Sequence, residues 1–205
     1  LVADVCLLGG DVRSLLCDYY ATPDTWGIPK SLEKVIVAAN SWLVSQSARR
    51  GETAGMATTL AAVVLRGRRW ICTHAGDSRI YLLRDGRLRR LTQDHVWEHP
   101  ELNTVLSRAV GLDRLINLDF AEGELNESDT FILLTDGVWG TLRDERIQSI
   151  IEKHADPQEA AYALADGAVD SGAQDNCSAL VLRVQDLPHD TLRDYHSQHA
   201  PPRGH

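Results

Sequence analysis

Three aspartates stand where apolar runs give way to polar residues. Asp136 follows Phe131-Ile132-Leu133-Leu134-Thr135 and precedes Gly137. Asp175 precedes Asn176 and the run Ser178 to Val184, and Asp4 follows Leu1-Val2-Ala3. A carboxylate at the end of a buried strand is held at the rim of a sheet. Several such groups converging make an oxygen-ligand site for a hard divalent cation, magnesium or manganese. Without a cation, two carboxylates ~4 Å apart repel by about 4 kcal/mol at an effective dielectric of ~20. Such a cluster either binds cations or holds on to protons. Taken singly, each aspartate reads more simply as a turn former or a cap. Only their spacing along the whole chain gives the chemistry weight.

The elements that would carry them follow from periodicity. Ser31 to Arg50 has helical spacing, with Leu32, Val35, Ile36, Ala39, Trp42 and Leu43 on one face, between Pro29 and Gly51. Strands are predicted over Thr58–Leu65, Trp70–His74, Arg79–Leu83 and Arg87–Leu91, with Asp85-Gly86 as a two-residue hairpin turn. Val96 to Val110 is more helical than extended, and Phe131 to Thr135 reads as a buried strand. Asp144–Lys153 and Pro157–Asp170 are predicted helices, the second capped by Asp156 ahead of its first-turn proline, and Ser178–Val184 is a final strand. Runs of strands with paired helices, rather than strict alternation, favour a layered α+β architecture.

Composition narrows the class. The 205 residues are 43% apolar and 24% charged, which fits one globular domain with a tail. A net charge of −8 argues against nonspecific nucleic-acid binding, and Trp26, Trp42, Trp70, Trp97 and Trp139 lack the basic interleaving of a base-stacking platform. Cys6, Cys17, Cys72 and Cys177 are scattered without a C-x-x-C pair, so neither a disulfide framework nor a zinc site is expected, and a reducing cytoplasm fits. No apolar run is long enough to span a bilayer, and no leader is visible. The chain opens on Leu1 and its one methionine is Met56, so it is expected to be a piece of a longer protein. From Asp186 onward prolines and histidines accumulate, giving residues 1–185 as the domain and 186–205 as a linker leading to another domain.

Read in order, VAD at Val2 to Asp4, GMATTLAAVVL at Gly55 to Leu65, HAGDSRIYLLRDGRLRRLTQDH at His74 to His95, LLTDGVWG at Leu133 to Gly140 and QDNCSALVLRV at Gln174 to Val184 resemble the metal-dependent serine/threonine protein phosphatases of type 2C (PPM). The resemblance implies two packed antiparallel β-sheets flanked by helix pairs, with a binuclear metal site at one end. More narrowly, DYYATPDTWGIPKSLEKVIVAANSWL is similar to the phosphatase part of bacterial bifunctional phosphatase/kinase proteins. That implies a fused or cognate kinase, phosphorylated proteins as substrates, and a cytoplasmic setting.

By the same resemblance, Asp4 takes the bridging position between two Mn2+ or Mg2+ ions. Val5 stands where a backbone carbonyl is a ligand, Asp136 and Asp175 hold a metal, and Asp77 belongs to a third, weaker site. The implied reaction is hydrolysis of phosphoserine and phosphothreonine by a metal-activated water, without a protein nucleophile. His95 is a candidate acid for the leaving group, set against a solvated loop histidine. Thr58 and Thr59 are expected to back the central strand. Arg79 is either a phosphate contact or, as its acidic neighbourhood favours, one half of a core ion pair. Two departures stand out. Val5 replaces the family's glycine in a loop shorter than usual, and the upstream stretch that supplies a phosphate-gripping arginine and a further acidic ligand is missing, with Asp11 as a candidate substitute. The alternative function is therefore a degenerate domain that binds or regulates a kinase or signalling partner without turnover.

Overall fold

The computed structural model describes residues 27–49, 55–97 and 105–187. Asp4, Val5, Asp11, Cys6, Cys17 and Trp26 lie outside the described residues. Helix α1 (Ile28–Arg49) opens the described chain. Pro29 sits in its first turn, where the missing N–H has no helical partner to lose, so the helix starts ahead of the predicted Ser31.

Two hairpins follow. Strands β1 (Leu60–Arg66) and β2 (Arg69–Ala75) pair antiparallel, Leu60 opposite Ala75. Strands β3 (Arg79–Arg84) and β4 (Arg87–Arg90) turn at Asp85-Gly86, where both residues take positive φ (49° and 68°), as the predicted two-residue turn requires. Then come β5 (Asp119–Glu124), β6 (Thr130–Leu134), the short helix α2 (Asp136–Trp139), α3 (Asp144–Lys153), α4 (Pro157–Asp170) and β7 (Ala179–Arg183). The sheets run β1-β2-β5 and β4-β3-β6-β7, all neighbours antiparallel.

Alternation along the strands builds three apolar layers. Leu60, Val64, Ile71 and Ala75 pack under Ile28, Leu32 and Ile36 of α1. Trp70 and Cys72 meet Ile80, Leu82, Phe131 and Leu133 between the sheets, with Trp70 edge-on to Phe131 at 5.8 Å. Tyr81, Ile132, Leu134 and Val181 face Ile147, Ile151, Ala160 and Leu164 of the α3–α4 pair. The α/β/β/α sandwich is the expected α+β architecture. Asp156 caps α4 as its sequence suggests, accepting from Gln158 N–H at 2.8 Å and Glu159 N–H at 2.9 Å.

Two elements differ from expectation. The described part of residues 96–110 forms no helix; Val96 and Val110 instead make isolated bridges to Leu106 and Thr58. Strand β5, rich in Asp and Glu, carries no strand signal of its own. It is extended because β2 offers it a ladder, and Gly123 lets its backbone lie against the Trp70 ring, which a Cβ would meet at 2.7 Å. Of the two edge strands of the larger sheet, β4 and β7, β4 exposes Arg87, Arg89 and Arg90.

Candidate metal centre and active-site cleft

The pairing of β3 with β6 places Arg79 opposite Leu134. Asp77 lies two residues before the first and Asp136 two after the second, so the register alone brings these carboxylates to the same end of the sheet. Strand β7 pairs with β6 at Leu134–Ala179 and delivers Asp175 beside them. All three line one cleft of about 600 Å³. Thr58, Thr59, Thr135 and Asn176 form its polar wall, and Leu43, Met56 and Leu106 its apolar one.

The local backbone fixes each carboxylate. Asp136 opens α2 and accepts the N–H of Gly137 through Oδ1 at 2.8 Å; Asp175 Oδ1 accepts from Asn176 N–H at 2.7 Å. The second oxygen of each has no hydrogen-bond partner among the described residues. Thr135 locks the two segments together. Its hydroxyl donates to Asn176 O at 3.1 Å and accepts from Ser178 N–H at 3.0 Å, while its own N–H donates to Ser178 O at 3.1 Å. Gly137 makes the approach feasible, because a Cβ there would lie 2.5 Å from Asn176 O and 3.1 Å from Asp175 O.

Among the described residues no basic side chain lines the cleft. Burial, and then the neighbouring Asp136 carboxylate, push the Asp77 carboxyl above the usual aspartate range. An oxygen-only donor set of this kind fits a hard divalent cation. The nearest strong base, Arg79, is already occupied. Burial opposes its charge, yet Asp94 holds it through Nε to Oδ1 at 3.0 Å and Nη2 to Oδ2 at 2.7 Å, and Tyr81 Oη accepts from Nη1 at 3.3 Å. The ion-pair reading of Arg79 therefore holds.

Thr59 supports the turn behind Asp77. Its hydroxyl meets Ser78 Oγ at 2.8 Å, and Gly76, at φ +107°, has no room for a Cβ against the Thr59 methyl at 2.5 Å. His95 is not in the cleft wall. It lies buried beneath the same turn, accepting Gly76 N–H through Nδ1 at 3.2 Å, so the remaining ring hydrogen, on Nε2, faces Asp119 Oδ2 at 3.2 Å. That geometry removes it as the acid next to the three aspartates. His74 stacks on it at 4.3 Å and donates from Nε2 to Gln93 O at 2.8 Å. Asp119 also takes Arg108 at 2.8 Å.

His74, His95 and Asp119 bring potential ligand atoms within 4.8 Å of one another. The Nδ1 lone pair of His95 is committed to Gly76 and the Asp119 carboxylate to Arg108 and His95, and the two rings stack on one another. Sequence reasoning misses this cluster, since its members lie on elements joined by β5. The two described cysteines are poor nucleophiles: burial pushes the Cys72 thiol up to about 11, and burial, Asp175 and Asp136 raise that of Cys177.

Sequence and fold are similar to those of known proteins. The family model described as protein phosphatase 2C matches residues 23–166, more than half of the chain. The serine/threonine phosphatase stp of Listeria monocytogenes is 28% identical over 174 residues, covering 78% of this chain and 67% of that protein. The solved structure of PppA of Pseudomonas aeruginosa superposes with a TM-score of 0.74 at 30% identity, covering 85% of this chain and 80% of that one. The catalytic domain of the serine/threonine protein phosphatase PstP, solved with two manganese ions, superposes with a TM-score of 0.74 at 28% identity over 85% of this chain and 79% of that one. With the sheet order and the cleft lined by Asp77, Asp136 and Asp175, and with the matched family model and structures, the chain belongs to the protein phosphatase 2C family.

Proposed function

We propose that this chain hydrolyses phosphoserine and phosphothreonine in proteins, using Mn2+ or Mg2+ held in the cleft. The observation that carries the reading is the convergence of Asp77, Asp136 and Asp175 on one cavity. The manganese-bound PstP neighbour supports the choice of metal. Asp136 and Asp175 would hold one ion of a pair, Asp4 would bridge to the second with the Val5 carbonyl beside it, and Asp77 would serve a third, weaker position. When bound, paired cations supply a water acidic enough to ionise near neutral pH and neutralise charge on the phosphoryl oxygens.

The chain's own part is orientation. Gly137 and Asn176 N–H groups fix one oxygen of each carboxylate and leave the other for a ligand. Three carboxylates repel a phosphoryl dianion, so substrate entry follows cation loading. Phosphorylated proteins, a fused or cognate kinase, a cytoplasmic setting and a linker over residues 186–205 complete the proposal. No helix among the described residues is long and apolar enough to cross a membrane.

The test is turnover of p-nitrophenyl phosphate and a phosphothreonine peptide with added manganese, comparing the 205-residue chain with Asp136→Asn and Asp175→Asn. Expected is activity in the parent and a loss of at least ~100-fold in each variant. A parent no more active than the two variants would overturn turnover by this chain and favour the non-catalytic binding module.

A further inference from the structure

We infer that Arg79 is a positioning residue for the metal centre, setting the orientation of α2 and so of Asp136 by stacking on Trp139. The inference rests on the phosphatase reading above. Helix α2 has four residues, too few to hold its own shape, so contacts outside it must fix its rotation. Val138 is anchored in the core and Gly137 abuts the Asn176 carbonyl. The remaining side is Trp139, which shares a face with Asp136 at i, i+3 spacing.

Arg79 covers that side. Its guanidinium carbon lies 3.4 Å from the centroid of the Trp139 ring. The guanidinium is held in place, because Asp94 takes two of its nitrogens, Nε and Nη2, and Tyr81 the third, Nη1. Tyr81 in turn donates to Asp144 Oδ1 at 3.2 Å, at the start of α3. The indole Nε1 of Trp139 is buried with no hydrogen-bond partner, so packing and the cation over its face are what hold the ring. Arg79 itself is not among the described residues that line the cleft. Two connections between the carboxylates result. One runs through the β3–β6 register, and the other from Asp77 through Arg79 and Trp139 to Asp136. Without the second, α2 can turn about Val138 and carry Asp136 away from Asp77.

The experiment measures manganese binding by calorimetry, together with kcat and KM on p-nitrophenyl phosphate. It uses the parent chain, Arg79→Lys, Trp139→Leu and Trp139→Phe, each checked for native circular dichroism at the assay temperature. Arg79→Lys keeps a charge for Asp94 but loses the planar face; Trp139→Leu keeps the ion pair and loses the ring. Both are expected to weaken manganese binding and lower kcat by about 10–100-fold with little change in KM, while Trp139→Phe, which retains a ring face, stays near the parent. Folded Arg79→Lys and Trp139→Leu proteins with parental manganese affinity and kcat, altered only in melting temperature, would overturn the positioning role alone. A parent chain that neither binds manganese nor turns over would overturn the phosphatase reading, and this one with it.

Discussion

At the scale of single residues, the site is a matter of who is allowed a side chain. Gly137 lets two carboxylate-bearing segments touch, since any Cβ would press on the Asn176 carbonyl at 2.5 Å. Gly137→Ala is expected to lower stability by about 1–3 kcal/mol, the usual cost of overpacking, and to weaken manganese binding by displacing Asp175. Urea denaturation and calorimetry on the same variant check both halves. Asp136 and Asp175 were legible in the sequence because each ends or precedes an apolar run that had to be a buried strand. Asp77 has no such flag, and only the family resemblance singled it out. The partners of Arg79 were legible as chemistry but not as geometry: an acidic neighbourhood was visible, whereas the stack on Trp139, sixty residues away, depends on strand register.

Among elements, β5 is the instructive one. DFAEGE lacks the branched and aromatic pattern of a strand, and its conformation is set by the ladder β2 offers. Failing to read β5 hides Asp119, and with it the network that ties β2, β5 and the segment after β4 beneath the Gly76 turn. The described part of residues 96–110 misleads in the other direction, because apolar spacing that suits a helix is met there by two isolated bridges.

The histidine network carries a pH signature. Burial lowers both His74 and His95 below the ordinary value of 6.5, and for His95 the second ring adds to it. Asp119, which burial would raise, is pulled down by Arg108 and His95. With folded values depressed, the unfolded chain binds more protons, so the stability contributed by neutral rings is full above pH 6.5 and lost as pH falls below it. A second proton on His95 would sit on Nδ1 and break the bond from Gly76 N–H. Melting temperature is expected to fall between pH 6.5 and 5.5, and less so in His74→Phe, which keeps a stacked ring that cannot charge. Identical pH profiles for the two proteins would refute this account.

For the whole molecule, the question is what joins two sheets at the end far from the cleft. Arg84, closing β3, donates to Asp129 through Nε at 2.7 Å and Nη2 at 2.6 Å, and reaches across to Glu124 O of β5 at 2.7 Å. Asp129 is fully buried and also accepts Asn126 N–H at 2.8 Å. Removing the arginine strands a buried carboxylate, so Arg84→Ala is expected to cost about 3 kcal/mol. Arg69→Ala, which breaks the solvent-exposed pair with Glu122, should cost under ~1 kcal/mol. Chemical denaturation of both variants distinguishes them, and equal losses would contradict the assignment.

The arginine-studded margin formed by β4 bears on colloidal behaviour. A sheet border with unsatisfied amides invites neighbouring molecules to zip onto it, and three guanidinium groups along four residues make such stacking of copies mutually repulsive. An acidic protein thus keeps this border cationic, which discourages self-polymerisation into fibres through it.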